Sequence, residues 1–199
     1  MKTTTELAVD VVLFLPTDVA DEMITLSNHL NDTYSEKNRL NTTDRFPHIS
    51  LLMGVVKEAD IEKIGAILNQ LKDAFLPIHL SMSELKSKIS SSAIEVAVTA
   101  DLKKLQAAII KELSPFLTNN PTAEMFYEEP NEKIIEWVRN FSKNCTGEGF
   151  HAHITVGPVF ENESYDNFHD FSSDTLALCH VGLHGSCRKV LAMSSSEHN

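Results

Sequence analysis

Long apolar runs are missing from this chain, and so is a basic stripe. No segment approaches the ~20 uninterrupted apolar residues that cross a bilayer. The early run Val11-Val12-Leu13-Phe14-Leu15 has Asp10 against it and falls short of the about 7 to 15 apolar residues of a secretory signal, so it reads as a buried strand. Lysine and arginine total 17 against 28 aspartates and glutamates, a formal net charge of −11. The basic residues are scattered as Lys103-Lys104, Arg188-Lys189 and singletons. A protein that grips a long nucleic-acid backbone draws most of its affinity from phosphate neutralisation and counterion release, which needs clustered cations. Their absence argues against an extended duplex and leaves a small nucleotide or an RNA terminus, held in a local pocket, as the expected partner. No membrane association is expected, and the expected location is cytoplasmic.

Cysteine is also scarce. Cys145, Cys179 and Cys187 are odd in number and irregularly spaced, with neither a C-x-x-C pair nor a disulfide framework. They are expected to be buried or half-buried free thiols in a reducing compartment. Low-complexity linkers are absent. With 199 residues and 42% hydrophobic content, the chain can bury one substantial core, or two small lobes sharing one, without metal or disulfide staples. One compact unit over residues 1–199, acting as a monomer, is expected.

What is present is a repeated pattern. Phe46-Pro47-His48-Ile49-Ser50-Leu51-Leu52 and His151-Ala152-His153-Ile154-Thr155-Val156-Gly157 both read His, apolar, hydroxyl, apolar. On a strand, alternation puts the histidine and the hydroxyl on one face and sends the isoleucine into the core. Two such strands in one cleft would offer two imidazoles and two hydroxyls. That set suits phosphoryl chemistry: a neutral histidine takes a proton, a protonated one gives one, and hydroxyls hold phosphate oxygens. Composition alone would produce roughly one or two His-x-Ser/Thr triplets, and there are two others here. His184-Gly185-Ser186 lies between glycines and reads as a turn. His79-Leu80-Ser81 is the rival, since it could sit on a strand. The β-branched and leucine neighbours of His48 and His153, and the Gly157-Pro158 stop, favour the first two.

These two motifs resemble the paired His-x-Ser/Thr signatures of the two-histidine (2H) phosphoesterase superfamily, which includes bacterial 2'-5' RNA ligase-like proteins and nucleotide cyclic phosphodiesterases. Position 50 carries Ser where many members carry Thr. The resemblance implies an α+β, bilobal fold: two similar lobes with antiparallel sheets lining a central cleft and helices packed on the outside. It also implies that His48 and His153 divide the roles of general base and general acid. Ser50 and Thr155 would hold non-bridging oxygens. The expected activity is metal-independent opening of a 2',3'-cyclic phosphate or cleavage of a 2',5' linkage, with no cofactor. The alternatives are 2'-5' RNA ligase-type activity with the same four groups, and a non-catalytic module that binds nucleotides or RNA ends.

Other residues carry secondary hypotheses. His151 shares a strand face with His153, and a His-x-His pair could bind zinc, but nothing in the sequence nominates a third ligand. Its plainer reading is a structural or solvent-facing histidine. Phe46 and Phe150 precede the motifs and could stack on a base, or simply pack in the core. Tyr127 could line the cleft or an interface. Arg45 and Arg188 are candidate phosphate contacts, because a guanidinium clamps two oxygens; otherwise they are solvated charges.

The periodicity predicts a strand over Leu7–Leu15, then a helix capped by Thr17-Asp18 and running to about Leu30 with Val19, Met23, Leu26 and Leu30 on one face. A polar loop over 31–45 delivers the His48 strand. Asp60–Phe75 is an amphipathic helix ended by Pro77. Strands follow near Ile78–Met82 and Ala93–Val98, then helices over Leu102–Leu113 and Glu132–Phe141, separated by an irregular stretch. The His153 strand, a strand over Thr175–Leu183 and a last one over Cys187–Met193 complete the order.

Overall fold

The computed structural model describes residues 5–34 and 38–195. Among the described residues eight strands and four α-helices follow one another along the chain: β1 (Glu6–Phe14), α1 (Thr17–Thr33), β2 (His48–Lys57), α2 (Ile61–Phe75), β3 (Ile78–Ser87), β4 (Ser92–Val96), α3 (Ala100–Leu113), α4 (Glu132–Asn144), β5 (His153–Gly157), β6 (Asp170–Ser173), β7 (Thr175–Val181) and β8 (Cys187–Met193). The fold is α+β. The strands form one sheet in the order β6-β3-β4-β5-β2-β1-β7-β8, with every neighbouring pair antiparallel.

Four strands lie on each side of the β5–β2 seam, and this is the bilobal arrangement. The seam itself is held by one register pair, Ile49 opposite Ile154. A single apolar core runs behind both halves. It takes Val9, Val11 and Leu13 from β1, Ile49 from β2, Ile94 from β4, Ile154 from β5 and Leu178 from β7, all fully buried. Alternation along each strand produces this face. Behind it, α2 packs on β7 and β8, α3 on α2 and β2, and α1 on β5.

The helices form for local reasons. In α2, Ile64, Leu68 and Leu71 recur at three- and four-residue spacing and are buried. In α3 the Thr99 hydroxyl accepts from the Leu102 N–H at 3.2 Å, and in α4 the Asn131 side chain accepts from the Ile134 N–H at 3.0 Å, both N-caps. In α1 the expected Thr17-Asp18 cap does not form: the helix starts at Thr17 with Pro16 in the cap position and no side-chain cap bond. Proline is preset in the extended conformation that position needs, so the first turn moves one residue earlier. Val19, Met23, Leu26 and Leu30 are buried as expected.

Three further features differ from expectation. Cys179 and Cys187 form a disulfide across the β7–β8 hairpin, with their Cα atoms 5.3 Å apart, and only Cys145 remains a free thiol. Strand pairing with two register shifts, absent from the linear spacing, brings the two together. The four-residue β6 pairs with β3 in a segment whose sequence shows no strand period. Leu51 is a bulge in β2, with the register stepping between Val11–Leu52 and Val12–Ser50. Both Leu51 and Leu52 can therefore face the core. The bulge is braced by buried Gln106 of α3, whose Nε2 donates to the Leu51 carbonyl at 3.0 Å and to the Cys145 carbonyl at 3.1 Å. His184 lies in a turn with φ of 63°, as its flanking glycines suggested. Among the described residues no helix is long and apolar enough to cross a membrane.

Candidate active site

The two motif strands, β2 and β5, are direct neighbours at the seam. Because Ile49 lies opposite Ile154 in an antiparallel pair, His48 falls opposite Thr155 and Ser50 opposite His153. Both isoleucines are fully buried, so these four polar side chains occupy the other face together, each histidine across from the other strand's hydroxyl. At the far end of this face, α4 packs Ile134, Val138 and Phe141 against Ala8, Met53 and Val181. The end that carries the motifs is left free of that helix.

Both imidazoles are oriented by the same local device. His48 Nδ1 donates to the carbonyl of Phe46 at 2.7 Å, and His153 Nδ1 donates to the carbonyl of His151 at 3.0 Å. A carbonyl only accepts, so Nδ1 carries the proton and Nε2 is the unprotonated nitrogen of each neutral ring. Burial lowers the pKa of both. The Phe46 bond partly offsets this at His48, and a charge on His153 lowers His48 further. At His153 the Lys88 ammonium adds to the lowering, while the His151 carbonyl and Glu95 oppose it. Glu95 is opposite His153 in the β4–β5 register and pairs with Lys88 at 3.0 Å.

One residue of this site was not anticipated. Asp10 of β1 is fully buried. The Ser50 hydroxyl is 2.6 Å from its Oδ2, and His48 Nε2 is 3.7 Å from the same oxygen. Burial pushes the Asp10 carboxyl well above the usual carboxylate range, with the Ser50 bond acting the other way. The signal was an aspartate inside an otherwise apolar strand, since such a residue is almost never buried without a purpose-built partner. In the sequence alone it only interrupts an apolar run.

No family model matches the sequence, and no curated protein matches it. Solved structures do match in shape. TT0787 of Thermus thermophilus aligns with a TM-score of 0.56 at 13% identity, over 96% of this chain and 100% of that one. E. coli LigT in its apo form aligns with a TM-score of 0.54 at 12% identity, over 96% and 97%. The fold is that of LigT. At such identity the likeness is one of fold. LigT also aligns in structures with phosphate, at a TM-score of 0.50 and 11% identity over 96% and 97%, and with NADP+, at 0.51 and 12% over 93% and 94%.

Within this LigT fold, the secondary candidates are distributed unevenly. His151 is exposed and supplies the carbonyl that orients His153. Among the described residues no group of three or more His, Cys, Asp or Glu side chains is placed to hold a metal ion. Phe46 is half-buried, 5.7 Å from Phe14, and packs over the Cys179–Cys187 bridge. Phe150 is buried in the core, which closes the base-stacking role to it. Arg188 forms ion pairs with Asp44 at 2.9 Å and Glu128 at 3.4 Å, neither with hydrogen-bond geometry, and stacks on Tyr127 at 5.3 Å. Tyr127 meets His180 edge-on at 5.6 Å. This cluster ties the loop before β2 to β8 and engages the Arg188 guanidinium with protein carboxylates, contrary to a free phosphate clamp. Arg45 Nη1 donates to Asn38 at 2.7 Å. His79 lies on β3, two strands from β5, and its Nδ1 is 2.6 Å from the Ser172 hydroxyl.

Proposed function

We propose that this chain is a 2H phosphoesterase that acts on RNA-derived nucleotides, opening a 2',3'-cyclic phosphate or cleaving a 2',5' phosphodiester without a metal. The observation that carries the reading is the placement of His48 and His153 on adjacent antiparallel strands, each with Nδ1 tied to the carbonyl two residues before it. That leaves two Nε2 atoms for two different oxygens of one phosphorus. LigT, whose fold the chain has, takes phosphate and NADP+, which supports a small phosphorylated ligand for this cleft as well.

In hydrolysis one histidine removes the proton from water as its oxygen attacks phosphorus, and the other protonates the ribose oxygen that leaves. Burial lowers both pKa values; an anionic phosphate beside the rings raises them and lets one ring hold its extra proton. Thr155, exposed on the cleft face, and Ser50 stabilise the non-bridging oxygens as charge builds. Run backward, the same groups serve ligation, and the roles of the histidines exchange.

The test is turnover of 2',3'-cyclic nucleotides and 2',5'-linked dinucleotides in excess chelator. Hydrolysis is expected to persist there. Complete loss on chelation, restored by zinc or manganese, would transfer His151 and His153 to metal ligation and overturn the reading.

A further inference from the structure

Asp10 stands out because, among the described residues, no permanent cation lies beside it and its one ionisable neighbour is an imidazole whose own charge burial disfavours. It lies on β1 between β2 and β7 with no solvent exposure. Its register partners are Met53 on β2 and Cys179 on β7, the latter held in the disulfide. Among the described residues no lysine or arginine pairs with it, and the one ionisable neighbour is His48, whose Nε2 is 3.7 Å away. Among the described residues its Oδ1 is buried without a hydrogen-bond partner, and its Oδ2 has one hydrogen bond, with the Ser50 hydroxyl. A carboxylate has about four acceptor sites to fill. One hydrogen bond in a dry site leaves the ionised form far worse solvated than the neutral acid.

We propose that Asp10 is a positioning residue that works as a neutral carboxylic acid: it donates to Ser50 Oγ and so turns the Ser50 hydroxyl proton toward the substrate phosphate. This rests on the phosphoesterase reading above. The 2.6 Å separation between Asp10 Oδ2 and Ser50 Oγ accommodates a proton from either side. If Asp10 were ionised it could only accept, Ser50 would spend its proton on it, and a phosphate oxygen would meet Ser50 lone pairs. With the proton on Oδ2, Ser50 accepts from Asp10 and donates to phosphate, and the two hydrogen bonds polarise each other in the same direction. Burial raises the Asp10 carboxyl in the sense this requires. Among the described residues the charged and titratable groups around the cleft are His48 on β2, His153 on β5 with His151 just before it, Glu95 on β4 and Lys88 in the β3–β4 turn. Cys179 does not titrate.

The experiment compares Asp10→Asn, whose amide N–H can also donate to Ser50, with Asp10→Leu, which cannot. Asp10→Leu is expected to lower kcat/KM on a 2',3'-cyclic nucleotide by about 10- to 100-fold, the scale of losing one charge-assisted hydrogen bond. Asp10→Asn should recover at least about tenfold of that loss, and Asp10→Leu should cost nothing further in a Ser50→Ala background. In the infrared, the wild-type protein at neutral pH should show a protonated-carboxyl band that disappears in Asp10→Asn. An Asn variant as impaired as the Leu variant, or no such band, would overturn the proposal. The infrared result stands without turnover, so a wild-type protein inactive on these nucleotides would sink the functional reading and leave the state of Asp10 decided separately.

Discussion

The two motif strands carry the same pattern and have unlike surroundings. On β2, His48 is only 12% exposed and Ser50 is bonded to a buried acid. On β5, Thr155 faces solvent and His153 sits across from a Lys88–Glu95 ion pair. Both rings are held, but the hydroxyl of one half is enclosed against a buried acid while that of the other opens to solvent. Local sequence explains the likeness, because the i−2 carbonyl orients each ring in the same way. The strands that flank each motif explain the difference: β1 contributes Asp10 on one side, and β4 contributes Glu95 on the other.

Removing the imidazoles tests the symmetry first. His48→Ala and His153→Ala should each lower kcat by about 10²- to 10⁴-fold in a folded protein. The double variant should lose less than the product of the two, because the rings act on one transition state. Near-normal turnover by either single variant would break the pairing.

The hydroxyls should separate the halves. Ser50→Ala and Thr155→Ala should both reduce activity less than loss of a histidine. In urea unfolding, Ser50→Ala should cost about 1–3 kcal/mol by stranding buried Asp10 without its partner, whereas Thr155→Ala should stay within about 0.5 kcal/mol of wild type. Equal stability changes would erase the contrast between an enclosed and an open hydroxyl.

The pH dependence of stability divides the same way. Asp10 has a raised folded pKa, so above the reference value of 3.8 the unfolded chain releases a proton that the native state keeps. Its contribution is complete below 3.8 and is lost as pH rises toward the folded value. Asp10→Asn should therefore gain stability relative to wild type as pH is raised from about 4 to 8. His48 behaves oppositely. Its folded pKa lies below 6.5, so the unfolded chain takes up a proton first and stability falls as pH drops below 6.5. His48→Gln should flatten that part of the profile of unfolding midpoints.

The smallest effect belongs to the rival motif. His79 is exposed and bonded to Ser172, so His79→Ala should leave turnover within about twofold of wild type. A loss comparable to that of His153→Ala, in a folded protein, would bring β3 into the site.

Some of this was legible in the residues themselves. The repeat of Ile64, Leu68 and Leu71 marks a helix face whatever surrounds it, and the alternation around Ile49 and Ile154 marks two strands with polar outer faces. The loop order and the last strand, Cys187–Met193, were readable from glycine and hydrophobic spacing. The Cys179–Cys187 bridge was not, because it depends on how a hairpin is registered. The short β6 was hidden because four residues are too few to show a period. Phe150 and Arg188 kept their alternatives until packing put one in the core and the other between Asp44 and Glu128.

By itself the sequence determined the periodic elements, the acidic balance and the two His-x-hydroxyl strands, since each depends on side-chain type and spacing within a few residues. The tertiary structure alone decided that β2 and β5 are neighbours, that Asp10 reaches Ser50 from a third strand, and that two cysteines meet. These are contacts between residues distant in the chain. Strand order and register settle them, and the apolar core behind the sheet selects that register as a whole, because a slip of one residue would turn its buried isoleucines to water.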